Sequence, residues 1–236
     1  MEQSEGTSLA PISPILPHPG CQTSELALEE SLAGKTVQLA LKRAMDVCAA
    51  SIVLVTLAPL LVLISLLILV ESGRPVLFQQ RRAGLRGREF GMLKFRSMKT
   101  HIDPNQEAEQ RAMAARGVLV KKKLDPRVTA VGYFLRLSSL DETPQLFNVL
   151  KGEMSLVGPR PLLPFMLAPQ PEFARARALM RPGITGLWQV RDRKNNTTAD
   201  SMRPHDLEYL RQFSLALDIK ILLKTVPAVL SAKGAC

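Results

Sequence analysis

The sequence predicts a mainly helical α/β protein with short strands, attached to a membrane. Three observations carry that expectation. Val47–Val70 is a run of 24 residues without a charge, enough at about 1.5 Å per residue to enter or cross a hydrocarbon core about 30 Å thick. Helix signals stand over Asp103–Gly117, Pro144–Lys151 and Leu207–Val226. Two short extended segments, Val76-Leu77-Phe78 and Phe90–Phe95, flank the glycine-containing stretch Ala83–Gly87, as a hairpin requires. At 236 residues the chain has room for one domain and an appendage. Its 46% hydrophobic content excludes a wholly disordered chain, and its 14 glycines follow no collagen-like period.

Residues 1–34 hold five glutamates, no Lys or Arg, and Pro11, Pro14, Pro17 and Pro19. Such a segment cannot bury enough apolar surface to order itself, so a disordered acidic tail is expected. It lacks the basic stretch and adjoining apolar core of a signal peptide.

Residues 35–74 read as the membrane anchor. Lys35, Lys42 and Arg43 precede the apolar run. Residues 71–100 carry eight basic side chains against Glu71 and Glu89. Positive charge in short flanks stays on the cytoplasmic side, and here both flanks are positive. Pro59 sits mid-run and removes an intrahelical hydrogen bond, so a kink or break is expected there. A helix that enters, bends at Pro59 and returns satisfies both flanks, each arm of about 17 Å reaching roughly mid-bilayer. A kinked span and a buried core helix are the alternatives that hydropathy leaves open.

Residues 75–236 read as a cytosolic domain. After the hairpin, Asp103-Pro104 opens a solvated helix that Gly117 stops, and Lys121-Lys122-Lys123 reads as a solvated turn. Pro144 suits a first helical position; Leu146, Phe147 and Leu150 share a face, and Gly152 ends the helix. Five prolines between Gly158 and Glu172 restrict regular structure. From Leu207 to Val226, apolar residues at three- and four-residue steps predict an amphipathic helix or helix pair, lying on the core or in the headgroup plane.

The remaining signals concern chemistry. Residues 35–236 hold 31 basic and 16 acidic groups, an excess suited to a phosphorylated substrate, an anionic membrane or nucleic acid. With one Trp and two Tyr, and arginines beside Pro and Gly instead of striped along a helix, nucleic acid is not an expected partner. Cys21, Cys48 and Cys236 imply neither a zinc site nor a disulfide framework. Asp141-Glu142 is an adjacent acid pair, although Ser139-x-x-Glu142 also matches a helix capping box. Lys94, Arg96, Arg136 and Arg160 lie among apolar or Pro/Gly-rich segments. Gly158-Pro159-Arg160-Pro161 and Arg181-Pro182-Gly183-Ile184-Thr185-Gly186 each set an arginine beside rigid backbone. Arginines held in this way suit phosphate, which they bind through two parallel hydrogen bonds. An acid pair within a ring of fixed cations is the equipment of metal-assisted phosphoryl transfer.

Ordered motifs then identify a relationship. They run from Lys42-Arg43-x-x-Asp46 through the apolar run with Pro59, Gly73-x-Pro75-Val76-Leu77-Phe78-x-Gln80, Lys94-Phe95-Arg96-Ser97-Met98 and Asp125-x-Arg127-Val128-Thr129. They continue with Arg136-x-x-Ser139-Leu140-Asp141-Glu142-x-Pro144-Gln145-Leu146-x-Asn148, then Met154-Ser155-x-Val157-Gly158-Pro159-Arg160-Pro161. The Arg181–Gly186 turn, Asp206-x-x-Tyr209 and Asp218-Ile219-Lys220 complete the set. Over residues 41–236 the chain resembles the bacterial sugar transferases, the monotopic polyprenyl-phosphate hexose-1-phosphate transferases that begin glycoconjugate and exopolysaccharide assembly. The resemblance implies a re-entrant anchor bent at Pro59 and a location at the cytoplasmic (inner) membrane, with the catalytic domain on the cytoplasmic face. It implies transfer of hexose-1-phosphate from a nucleotide diphospho-sugar, expected to be a UDP-sugar, to undecaprenyl phosphate. The product would pass to downstream glycosyltransferases. Asp141 is then the nucleophile, through a sugar-phosphoryl-aspartate, and Glu142 the ligand of Mg²⁺. Lys94, Arg96, Arg136, Arg160 and Arg181 would hold phosphates, with Gln145, Asn148 and Asp206 in support. The chain departs from the family pattern at Ala58, where Ser usually precedes the proline, and at Arg191-Asp192-Arg193.

Overall fold

The computed structural model describes residues 22–99, 119–120, 125, 127–192 and 196–230. The helix expected over Asp103–Gly117 and the Lys121-Lys122-Lys123 turn lie outside these residues, as do residues 1–21 of the expected tail. The rest of that tail differs from expectation: Gln22–Ala33 is a helix (α1) that buries Leu28 and Leu32. Acidic composition hid this, because only two leucines, four apart, are needed to dock a three-turn helix on an existing core.

The apolar run lies within one helix, Thr36–Ser72 (α2), which continues through Pro59 without interruption. One face packs on the domain through Lys42, Asp46, Ala50, Leu54, Ile64 and Ile68, while Val55, Val62, Leu66 and Val70 on other faces are exposed. An apolar surface of that extent belongs in lipid. The basic flanks place the domain on the cytoplasmic side, so the chain is a membrane protein with a cytoplasmic domain.

The expected hairpin is present as antiparallel strands Leu77–Ala83 (β1) and Glu89–Phe95 (β2), in register from Leu77 opposite Phe95 to Ala83 opposite Glu89. A pair of residues at Leu119–Val120 (β3) is followed by helix Ala130–Ser138 (α3), capped by the Thr129 hydroxyl, which accepts from the Gly132 N–H. Helix Gln145–Lys151 (α4) comes next, ended by Gly152 at φ 84°, a left-handed position natural to glycine. The proline-rich stretch resolves into strand Ser155–Val157 (β4) and two short helices, Pro164–Leu167 (α5) and Pro171–Arg177 (α6). Strand Gly183–Thr185 (β5) pairs parallel with β4, and helix Leu187–Arg191 (α7) follows. Strand Asn196–Thr197 (β6) pairs with β3.

Of the two options for the last apolar pattern, the helix pair is realised: Ala199–Gln212 (α8) and Leu215–Leu230 (α9), broken at Phe213. The core is divided. One cluster joins α1, α8 and α9 through Leu32, Tyr209, Phe213 and Ile221. Another gathers Leu163, Met166, Phe173, Trp188 and Met202. The last two seat α2 on the site: Ala50 and Leu54 against Met92, Leu146 and Val149, and Ile64 and Ile68 against Phe95 and Leu135.

Candidate active site

The acid pair occupies a single 3₁₀ turn, Leu140–Glu142, between α3 and α4. Ser139 closes α3 in the left-handed region, at φ 57° and ψ 16°. Its side chain makes no capping bond, so the capping-box alternative is not realised. A non-glycine residue held there costs on the order of 1 kcal/mol. The gain is a chain reversal that puts two consecutive carboxylates at the mouth between two helices.

Cations converge on the pair from three other segments. Lys94, near the end of β2, places Nζ 2.7 Å from Glu142 Oε1, and Arg160 Nη2 lies 3.9 Å from the same oxygen. Arg136, in the last turn of α3, donates from Nε to Ser97 Oγ at 2.9 Å and adds its charge to the field at Asp141. α3 can approach Ser97 because its own residue there is Gly132; a Cβ would sit 2.1 Å from the Ser97 carbonyl oxygen. Burial pushes the Asp141 carboxyl up to about 6; Lys94 opposes this, the neighbouring Glu142 adds to it, and Arg136 opposes it. A carboxylate that burial has made more basic, with cations beside it to receive the charge of a bound phosphate, is equipped to act as a nucleophile toward phosphorus.

The other expected residues are distributed differently. Arg96 is buried and spends its guanidinium on the end of α2: Nη1 donates to the Arg74 carbonyl (2.9 Å), Nη2 to the Ser72 carbonyl and hydroxyl (2.7 and 2.9 Å) and to the Gly73 carbonyl. Arg181 donates from Nε to the Gly152 carbonyl at 2.8 Å, at the end of α4 opposite the dyad, beside Arg43 on Val149 and Leu150 carbonyls. Arg96, and Arg181 through its Nε, thus donate to carbonyls at or just beyond helix C-termini, where exposed carbonyls draw cations. Asn148 is wholly buried and structural in its contacts: Oδ1 accepts from Leu93 N–H, and Nδ2 donates to the Gly91 carbonyl and Glu153. Gln145 is buried at the start of α4. Asp206 is buried against Arg177 (2.8 Å), and Arg177 in turn donates to the Arg160 carbonyl. Its support for the site is indirect, through the backbone of Arg160. Pro59 is exposed within α2.

Several further residues reach the site or brace it without a role assigned to them from the sequence. Arg82 on β1 reaches Arg160 and Glu142 electrostatically and was hidden in the polar run Gln79–Arg82; strand alternation, which sets Gln80 and Arg82 on one face, was the available signal. Trp188 lies beneath the Arg160 guanidinium, 5.8 Å from ring centre to Cζ. Lys42, in the basic flank before the apolar run, is buried with Nζ 2.6 Å from Asp218 and 2.8 Å from the Val157 carbonyl. Asp46 accepts from Leu156 N–H. Their four-residue spacing, in line with Ala50 and Leu54, marked that face.

Among the described residues no three His, Cys, Asp or Glu side chains converge. The donor set nearest to a metal site is the dyad, which suits Mg²⁺ bound by one or two carboxylates together with substrate phosphates. A cavity of about 920 Å³ lies elsewhere, between α1, the hairpin tip and α6, lined by Leu32, Gly84, Leu167, Ala174 and Met180.

Residues 37–232 match the family described as bacterial sugar transferase. A UDP-glucose:undecaprenyl-phosphate glucose-1-phosphate transferase of Caulobacter vibrioides is 45% identical over 202 residues, 82% of this chain and 71% of that protein. The exopolysaccharide production protein ExoY of Rhizobium meliloti is 39% identical over 214 residues, 87% of this chain and 92% of that protein. An undecaprenyl-phosphate galactose phosphotransferase of Salmonella typhimurium is 37% identical over 89% of this chain, which spans 44% of that protein. A match that runs from the start of the apolar helix past the dyad to the last helix leaves one conclusion: the chain is a membrane-attached enzyme of the bacterial sugar transferase family.

Proposed function

We propose that the protein transfers hexose-1-phosphate from a UDP-sugar to undecaprenyl phosphate, with Asp141 as the nucleophile. The observation that carries this reading is the Asp141–Glu142 turn, held among Lys94, Arg136 and Arg160 on a domain seated against an apolar helix. The names of two relatives support it, one moving glucose-1-phosphate from UDP-glucose and the other galactose.

In the first half-reaction an Asp141 carboxylate oxygen attacks the β-phosphorus of the donor. The bond from that phosphorus to the α–β bridging oxygen breaks, and UMP leaves with the electron pair. In the second, a phosphate oxygen of undecaprenyl phosphate attacks the same phosphorus. The bond to Asp141 breaks, the carboxylate is restored, and undecaprenyl diphospho-sugar departs. Lys94 and Arg136 neutralise charge on the phosphoryl oxygens without needing to reorganise. Glu142, with Asp141 adjacent, would hold Mg²⁺, which when bound supplies Lewis-acid stabilisation to the diphosphate.

The path of α2 belongs to the same reading. Lys42, Arg43 and Asp46 tie its first turns to Asp218, Val149 and Leu156, and Arg96 holds the carbonyls at its far end. Glu71 accepts from the Ala130 N–H at 2.7 Å, capping α3. A spanning helix would separate these ends by about 30 Å of hydrocarbon, yet one domain grips both. Both ends therefore lie on the cytoplasmic side, with the exposed face of α2 in the near leaflet. Tyr133 and Phe134 on α3, and Leu223 and Val226 on α9, are likewise exposed apolar side chains suited to the lipid boundary. Soluble donor and lipid acceptor then meet at one boundary.

The test is a panel of UDP-sugars offered to the purified protein with undecaprenyl phosphate, following UMP. Acceptor-dependent UMP release with at least one sugar, abolished in Asp141→Asn, is expected; full activity in Asp141→Asn would sink the mechanism. For topology, single cysteines at Val37 and Arg74 in a background without Cys21, Cys48 and Cys236 should both react from the cytoplasmic side. Labelling of one from the opposite side would overturn the placement of both ends on one side.

A further inference from the structure

The cations around the dyad are shared unequally. Lys94 bears on both carboxylates, 2.7 Å from Glu142 Oε1, and Arg136 bears on Asp141; Arg160 lies 3.9 Å from the same Glu142 oxygen, and Arg82 feels Arg160 and Glu142. Arg82 enters from β1. Its Nη1 donates to the Pro161 carbonyl (3.1 Å) and its Nη2 to Gln80 Oε1 (2.6 Å), which fix the plane of the guanidinium. Its Nε is buried and has no acceptor among the described residues.

Two guanidiniums are thereby brought near one another, with Glu142 as a shared counter-charge. Burial and the neighbouring Arg160, opposed by Glu142, pull the proton affinity of Arg82 down to about 10. The framework around the pair is rigid. Arg160 rests over Trp188, its carbonyl receives Arg177, and Arg177 is fixed by Asp206. Gly158, two residues before Arg160, packs so closely on the Arg181–Gly183 turn that a Cβ would lie 2.4 Å from the Arg181 carbonyl oxygen. Like charges held this firmly, with a buried N–H left unpaired, leave a favourable place for an anion with several oxygens.

We propose that Arg82, together with Arg160, binds the α-phosphate of the departing nucleotide, which makes Arg82 a substrate-binding residue of this enzyme. The assignment rests on the transferase reading above and deepens it. The transferred phosphoryl group ends bonded to Asp141, so Lys94 and Arg136 serve it. In-line displacement sends the leaving oxygen to the opposite side of phosphorus, toward the pair on Glu142. The surroundings agree: Arg136 stands on the helix that exposes Tyr133 and Phe134, the lipid side, whereas Arg160 backs onto Trp188 in the interior of the cytoplasmic domain.

The experiment uses the full chain in detergent, as wild type, Arg82→Lys and Arg82→Met, with thermal melting as the control for folding. Three quantities are read: equilibrium binding of UMP, KM for the UDP-sugar and KM for undecaprenyl phosphate. Loss of a charge-assisted contact predicts UMP binding weaker by about 10- to 100-fold in Arg82→Met. Arg82→Lys should lie between, the donor KM should rise in parallel, and the acceptor KM should stay unchanged. Unaltered UMP affinity in the folded variants, or a rise confined to the acceptor KM, would overturn the assignment. So would failure of both variants to fold, which would make Arg82 part of the framework alone. UMP binding needs no turnover, so the two readings fail separately. Wild type that binds UMP through Arg82 but releases none from any UDP-sugar contradicts the transferase reading. Turnover with UMP affinity indifferent to Arg82 contradicts the assignment only.

Discussion

Lys42 Nζ and Asp218 Oδ2 lie 2.6 Å apart, both side chains buried, joining the foot of the membrane helix to the last helix of the catalytic domain. Tyr209 donates to the other Asp218 oxygen at 2.8 Å, and the Val157 carbonyl takes a second bond from Lys42. Removing one member leaves a buried group unpaired, which costs about 3–5 kcal/mol, whereas replacing both by apolar residues of similar volume costs far less. Asp218→Ala should therefore lower the melting temperature sharply, and Lys42→Met with Asp218→Leu should recover most of the loss. Additive losses in a double-mutant cycle would show that the pair is not coupled.

In the mechanism proposed above, Asp141 trades stability for reactivity. Its folded-state pKa is raised to about 6 from 3.8, chiefly by burial. A raised acid favours the fold below about pH 4, and that contribution is lost as pH rises through 6. At pH 7.5 the ionised side chain thus costs up to about 3 kcal/mol, at 1.36 kcal/mol per unit. Asp141→Asn should be inactive yet melt higher than wild type at pH 7.5, the gap closing below pH 4. A lower melting point at both pH values would contradict this account.

Lys94 is one of the two cations that hold the Asp141 value down. Lys94→Met should push the carboxyl higher, moving the acid limb of the kcat/KM profile toward neutral pH. The rate at the plateau should fall by about 10²–10³, the effect of losing one charge-stabilising donor. An unmoved acid limb would mean that Lys94 does not face Asp141 in the free enzyme.

Gly132 sets the spacing between α3 and Ser97. In Gly132→Ala the new Cβ meets backbone 2.1 Å away, so α3 must retreat and take Arg136 with it. A loss of about 1–3 kcal/mol is expected, along with reduced UMP release. Gly34→Ala is the comparison: its nearest atoms are 3.7 Å away, and it should leave melting and activity close to wild type.

Much of the site could be read in advance because its residue types have few other uses. Adjacent carboxylates in a turn, an arginine between prolines and a lysine ending a strand are costly arrangements unless something is bound, and Asp141, Glu142, Arg160 and Lys94 do come together. Arg96 and Arg181 carried the same signal, and their side chains donate to backbone carbonyls near helix ends. A guanidinium suits backbone carbonyls at a helix end as well as phosphate, and sequence does not say which will be near. Arg82 shows the reverse, a residue without a distinguishing neighbour that pairing with β2 carries to the site.

By itself the sequence determined membrane attachment, the acid pair, the hairpin and the helical pattern, since each depends on local composition and spacing. Tertiary structure alone decided which cations reach the dyad and which cap helices, that α1 docks through two leucines, and that both ends of α2 are gripped by one domain. Those outcomes depend on contacts between segments far apart in the chain, 176 residues in the case of Lys42 and Asp218. Distance along the chain carries no information about such contacts until the backbone has folded.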